Sequence, residues 1–197
     1  MTARRGAVGG ADLAERSDAR DPDLPAVRAA QRDRAAFDVL YRRYLSRVYG
    51  YAFYQLRNHH DAEDVTERVF LSALRGIDRY RDRGSTFRAW LFRIAHNTVA
   101  NTHRSRARRR AEPLPEDAAW VAPNADPAGL VTRADELHAV LRAVATLPDD
   151  RRQVILLRFV DGLTAAEIGR VLGRSPGAVR VLQHRALVDL SARIRRG

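Results

Sequence analysis

Residues 112–132 hold Pro113, Pro115, Pro123 and Pro127, four of the eight prolines in a chain of 197 residues, together with Asp126 and Gly129. Proline has no amide hydrogen for a helix or a sheet and fixes its own backbone angle, so no packed element fits this stretch. The segment reads as an extended linker. The chain then folds on either side of it as two small units, and 45% hydrophobic residues suffice for a core in each.

Before the linker the apolar residues keep helical spacing. Residues 1–24 are rich in Gly, Ala, Arg and Asp without that rhythm and read as a flexible leader. Pro25 suits a helix start. Phe37, Leu40, Tyr41, Tyr44, Leu45, Val48, Ala52 and Leu56 then follow the i, i+3, i+4, i+7 pattern over about five turns. Asn58-His59-His60 interrupts it. Asp61-Ala-Glu-Asp64 opens the next helix, with acids where the helix dipole favours them, and Val65, Val69, Ala73 and Ile77 continue its buried side.

From Arg83 to Ala111 there is no acidic residue and there are eight arginines. Phe87, Trp90, Leu91, Ile94, Ala95 and Thr98 form an apolar stripe, with Ser85 or Thr86 available as the amino-terminal cap. Trp90 lies on the stripe and is expected to be mostly structural. Arg88, Arg93, His96, Asn97, Asn101, His103 and Arg104 are left to project elsewhere, toward phosphates and base edges. A helix that is apolar on one face and cationic on the other is suited to a polyanion.

Charge is distributed in blocks. Residues 34–110 carry seventeen arginines against seven acids, net +10; residues 111–135 are net -4, and residues 136–197 are net +5. Two basic blocks around an acidic connector point to nucleic acid and to salt-dependent binding, because neutralising phosphates releases counterions. The absence of lysine reflects genome composition more than function. With no cysteine there is no disulfide framework, thiolate metal site or cysteine nucleophile. The histidines show no metal-binding spacing, so no cofactor is expected. No apolar run reaches membrane-spanning length, and the chain is expected to be cytoplasmic without membrane insertion.

Beyond the linker, Leu137, Val140, Leu141, Val144 and Leu147 mark a helix that Leu147-Pro148-Asp149 ends, and Val154 and Leu157 belong to another. Thr164-Ala-Ala-Glu167 is a capping box, Gly173 suits a left-handed carboxyl cap, and Ser175-Pro176 starts one more helix. Ile168, Leu172, Val179, Leu182 and Ala186 supply packing faces. Arg180, Gln183, His184 and Arg185 face outward, with side chains that match guanine and adenine edges. Helix, short turn, helix is the grammar of a DNA reader.

Three signatures together resemble the extracytoplasmic-function (ECF) sigma factors of the bacterial sigma-70 family. They are Asp61-Ala-Glu-Asp-Val-Thr-Glu-Arg-Val-Phe70, Phe87-Arg-Ala-Trp-Leu-Phe-Arg-Ile-Ala-His-Asn97, and the stretch from Leu147-Pro through Gly162-Leu-Thr-Ala-Ala-Glu-Ile168 to Arg185-Ala-Leu187. The resemblance implies an all-α protein with a leader (1–24), a region 2 domain (25–110), an acidic Pro-rich linker (111–134) and a region 4 domain (135–197). It implies a sigma factor that binds core RNA polymerase and directs initiation by recognising -35 and -10 elements and helping to open the DNA, with an anti-sigma protein as a further partner.

The same resemblance implies polymerase contacts at Asp61, Asp64 and Glu67, although Arg68 stands where the family usually has an acid. It places contacts to a partly single-stranded -10 element at Arg79, Tyr80, Arg81, Arg83, Arg93, His96, Asn97, Asn101 and Arg104. Within the loop, arginine and tyrosine can hold the backbone and stack on an unpaired base. Contacts to a duplex -35 element fall at Arg174, Ser175, Arg180, Gln183 and His184. Opening DNA in this way needs binding energy and no bond-making, so no enzyme is expected. The alternative is a helix-turn-helix regulator that does not replace the sigma subunit; it would leave the arginine-rich helix and its upstream loop without a purpose.

Overall fold

The computed structural model describes residues 21–82, 84–109 and 143–194, and every regular element among them is helical. The first block contains α1 (Leu24–Arg32), a 3-10 turn (Arg34–Phe37), α2 (Asp38–Leu56), α3 (His59–Gly76), a second 3-10 turn (Ile77–Arg79) and α4 (Phe87–Arg109). The second contains α5 (Asp149–Ile155), which runs into a π-helical stretch (Leu156–Val160), then α6 (Ala165–Leu172) and α7 (Pro176–Ile194). The expected linker, the expected apolar positions Leu137, Val140 and Leu141, and Arg83 lie outside the described residues.

The break between α2 and α3 has a local cause. Arg57 closes α2 in the left-handed region (φ 53°), its amide donating to the Phe53 carbonyl at 2.7 Å. Asn58 then caps α3, its side chain accepting from the Asp61 amide at 3.0 Å. The helix therefore begins at His59, two residues before the acidic cluster.

α2, α3 and α4 pack on one another around Leu40, Tyr51, Val65, Val69, Leu91 and Ala95. The buried face of α4 is wider than the expected stripe. It takes in Ala89, Val99 and Phe92, whose ring meets Tyr51 edge-on at 5.7 Å, while Trp90, Ile94 and Thr98 are only half-buried. The reason is tertiary: α4 lies against α2 and α3 and also against α6 of the second block. Thr86 is its cap, accepting from the Ala89 amide at 3.2 Å.

The leader expectation ran to residue 24, but Asp21, Asp23 and Leu24 at its end are packed against the fold. Asp21 and Asp23 are 5% and 1% exposed, and α1 starts at Leu24 with Pro25 in its first turn. Both carboxylates are held by donors from distant elements, which residue composition does not reveal.

In the second block the capping box between Thr164 and Glu167 is complete. Gly173 takes the left-handed cap (φ 66°) and Ser175 accepts from the Ala178 amide at 3.2 Å. Gly169 permits the tight turn: a Cβ there would lie 2.5 Å from the Arg174 carbonyl oxygen. The core between α5, α6 and α7 holds Val154, Leu157, Leu163, Ile168, Val179 and Leu182.

The two blocks meet through α4 and α6. The Thr86 hydroxyl donates to Glu167, Arg88 lies 4.0 Å from the same carboxylate, and Arg170 donates to the Gly84 carbonyl. Burial pushes the Glu167 carboxyl up, but hydrogen bonds from Thr86 and Thr164 and the nearby Arg88 charge outweigh it and hold the group below its ordinary range.

Candidate nucleic-acid interface

The loop between α3 and α4 and the first two turns of α4 enclose a cavity of about 380 Å³, lined by Arg79, Tyr80, Arg81, Trp90, Arg93 and, from α6, Arg170. Four guanidinium groups around an aromatic floor form a place where an unstacked base and its phosphates can be held together.

The expected contacts of this region divide into two kinds. Arg79 is exposed, as are Arg93, Asn97, Asn101 and Arg104, which rise along one line of α4 at intervals of four, four and three residues. Arg104 donates to the Asn101 side-chain oxygen. Arg81 is exposed but folded back, donating to the Asp78 and Tyr80 carbonyls at 2.7 and 2.8 Å.

Tyr80, by contrast, is 6% exposed and packs against Phe87 and Trp90 at ring separations of 5.8 and 5.3 Å. Burial first, and the charges of Asp21 and Asp82 next, raise its hydroxyl far above the ordinary tyrosine value. In this conformation the ring supports the cavity from below and is not offered for stacking; Trp90 is the more accessible aromatic. His96 is half-buried with Nδ1 3.3 Å from the Tyr51 hydroxyl, and burial lowers its pKa. A neutral imidazole there adds no charge toward phosphate at neutral pH.

The helix-turn-helix presents its expected contacts more uniformly. Arg174, Ser175, Arg180 and His184 are exposed and Gln183 is half-buried. Arg180, Gln183 and His184 share one face of α7 at i, i+3 and i+4. The Ser175 oxygen is the cap acceptor, which leaves its hydroxyl proton free to donate outward.

The three expected polymerase contacts also differ among themselves. Asp61 is half-buried and pairs with Arg106, which in addition donates to the Leu56 carbonyl at 3.0 Å; this ties the end of α4 to the start of α3. One member of the arginine tail is thus spoken for inside the fold. Asp64 lies 3.8 Å from Arg68, the residue at the unusual position. Glu67 is exposed at the rim of an apolar groove of about 380 Å³ between α2 and α3, floored by Phe37, Leu45 and Phe70 and flanked by exposed Tyr41 and Leu71.

Arg170 and Asp21 were not visible as parts of this region from sequence. Arg170 reaches the loop across 86 residues of chain. Asp21 had one local signal, an aspartate just ahead of a proline-initiated helix, which suggests a cap but not a distant partner. Among the described residues no group of His, Asp or Glu is arranged to hold a metal ion, and no helix is long and apolar enough to cross a membrane.

Residues 40–109 match Sigma-70 region 2 and residues 137–190 match Sigma-70, region 4. The ECF RNA polymerase sigma factor SigD of Mycobacterium tuberculosis is 41% identical over 136 residues, covering 68% of this chain and 63% of that protein. The ECF RNA polymerase sigma factor SigE of Mycolicibacterium smegmatis is 38% identical over 184 residues, 91% of this chain and 70% of that protein. Among solved structures, CnrH in complex with the cytosolic domain of CnrY aligns with a TM-score of 0.63 at 26% identity, covering 89% of this chain and 98% of that one. The chain thus spans slightly less than two thirds of the length of SigD.

Proposed function

This chain belongs to the ECF sigma factors of the sigma-70 family, and from that premise we propose that it is a promoter-specificity subunit of RNA polymerase. In this reading α7 enters the major groove of the -35 element, with Arg180 and Gln183 on base edges. The arginine-lined cavity beside Trp90 takes an unstacked base of the -10 element, and the line from Arg93 to Arg104 follows the adjoining backbone. The groove between α2 and α3, rimmed by Glu67, docks on core polymerase, with Asp61 and Asp64 of the same helix as further contacts. The chain makes no bond itself; binding energy traps opened DNA. Its place of action is the cytoplasm.

The observation that supports this reading is the pairing, in one chain, of an arginine-rimmed aromatic cavity with a helix-turn-helix. A regulator needs only the second. The two elements are nominally about 25 base pairs apart, roughly 85 Å at 3.4 Å per pair. Engaging both at once therefore draws α6 away from α4 and releases Arg170 from Gly84. A partner protein that restrains the free chain, an anti-sigma factor, belongs to the same reading; CnrH was solved in complex with the cytosolic domain of another protein, CnrY.

Reconstitution with core polymerase and a promoter library is the test. Start sites that appear only when this chain is added support the reading. A chain that shifts the output of another sigma factor, yet directs no start of its own, returns the helix-turn-helix regulator as the answer.

A further inference from the structure

Asp21 sits beneath the loop that carries the cavity, and its carboxylate spans the two ends of that loop. Oδ2 accepts from the Phe87 amide, the first of α4, at 2.5 Å, and lies 3.3 Å from the Tyr80 hydroxyl, which is also 3.0 Å from the Ser85 carbonyl. Oδ1 accepts from the Asp23 amide at 3.0 Å. Asp23 in turn is held by Arg43 and by the Tyr44 hydroxyl, both on α2. On the other side of the loop, Gln31 of α1 donates to the Ile77 and Tyr80 carbonyls at 2.8 and 3.1 Å.

A buried carboxylate with every oxygen engaged is an expensive thing to place under a surface loop unless the loop must keep one shape. Here it ties Tyr80, at one end of the loop, to Phe87, at the other, and anchors both to α2 through Asp23. The side chains set by this closure are those that line the cavity: Arg79 and Arg81 on the incoming arm, Trp90 and Arg93 on the outgoing helix.

Resting on the reading of this cavity as the -10 site, we propose that Asp21 is a positioning residue for -10 specificity. The Asp21-Pro22-Asp23 segment, which precedes the first helix, is the clasp that holds the base-capturing loop in register with α4. It touches no DNA. It acts through Tyr80 and the first turn of α4.

Asp21→Asn is the informative substitution. It is isosteric, but one of two accepting oxygens becomes a donating amide, so whichever way the group faces at least one donor, the Asp23 amide or the Phe87 amide, loses its acceptor. The assay uses the full chain with core polymerase on a promoter it uses, on single-base -10 variants and on single-base -35 variants. The expected result is a folded chain whose -10 discrimination falls about tenfold while -35 discrimination is unchanged, as the loss of one charge-assisted hydrogen bond predicts. Tyr80→Phe should lower the same ratio by a smaller factor, and the double variant should fall no further than Asp21→Asn alone.

Asp21→Asn that folds and keeps wild-type -10 discrimination overturns the proposal, because a merely structural residue changes the amount of active protein and not that ratio. Should Asp21→Asn fail to fold, unchanged -10 discrimination in Tyr80→Phe overturns it instead. A wild-type chain that directs no start with core polymerase overturns the promoter-reading assignment itself and removes the clasp with it, a result that the wild-type lanes alone reveal.

Discussion

The helix-turn-helix of the second block and the loop of the first are both short basic segments set between helices, yet they are held in opposite ways. The turn between α6 and α7 is fixed from within: Thr164 with Glu167, Gly169 against Arg174, Gly173 at its left-handed angle, Ser175 with Ala178. The loop from Ile77 to Thr86 is fixed from far away, by Gln31 at 46 and 49 residues' separation and by Asp21 at 59 and 66. A surface made by local chemistry can be moved as a unit. One made by long-range anchors depends on everything beneath it.

The largest test of the contrast is Gly169→Ala. Its Cβ would meet backbone, which has no side-chain rotamer to yield, so the turn should lose roughly 3 kcal/mol. Thermal unfolding and -35 discrimination should both suffer, while Asp21→Asn should leave the second untouched. If Gly169→Ala is as stable as the wild type, the turn is not locally determined. Next in size, Arg180→Ala should cost about 2 kcal/mol of discrimination at a single -35 position and leave stability unchanged. Equal losses at every position would make Arg180 a phosphate contact.

Gln31→Ala removes two hydrogen bonds to loop carbonyls from an α1 position that faces no DNA. It should cost about 1.5 kcal/mol and speed hydrogen exchange in the loop without altering that of α7. Uniform protection across both segments would remove the distinction between them.

The smallest effect, Asp161→Asn, approaches the contrast from the other side, because Asp161 belongs to the second block but faces Arg47, Tyr51 and Arg88 of the first. It is buried, and among the described residues neither carboxylate oxygen has a hydrogen-bond partner. Burial raises its pKa well above the ordinary value, with Arg47 and Arg88 pulling the other way. The folded chain therefore keeps a proton that the unfolded chain releases above about pH 3.9. Stability from this group is lost as pH rises from there through the folded pKa. The Asn variant should gain about 1 kcal/mol at neutral pH and lose that advantage below about pH 4. An advantage independent of pH would assign it to packing.

The helical character of the chain was legible because periodicity is a local signal. So were the capping box, the Gly173 cap and the Ser175-Pro176 start, each defined by residues within a few positions of one another. The face of α4 was less so. Phe92 lies off the single stripe that an amphipathic helix with one buried side requires, and it is buried because α4 is flanked by several helices, the Phe92 ring meeting Tyr51 of α2. The aromatic of the loop was legible as a residue type and not as a role: Tyr80 next to arginines suggests stacking, whereas the distant Asp21 carboxylate and the rings of Phe87 and Trp90 hold it inward.

What the sequence determined by itself is the set of units: helices, their caps, the two basic blocks, the proline-rich stretch between them and the motifs that place the chain in its family. These follow from interactions whose range is a turn or two of helix, so neighbouring residues suffice to specify them. Which side of each unit meets solvent was decided by the tertiary structure. Arg106 lies inside an ion pair while Arg93 faces out, and Asp21 supports a loop that it precedes by some sixty residues. Burial and long-range hydrogen bonding depend on which helices come to lie side by side, and that depends on the packed core as a whole.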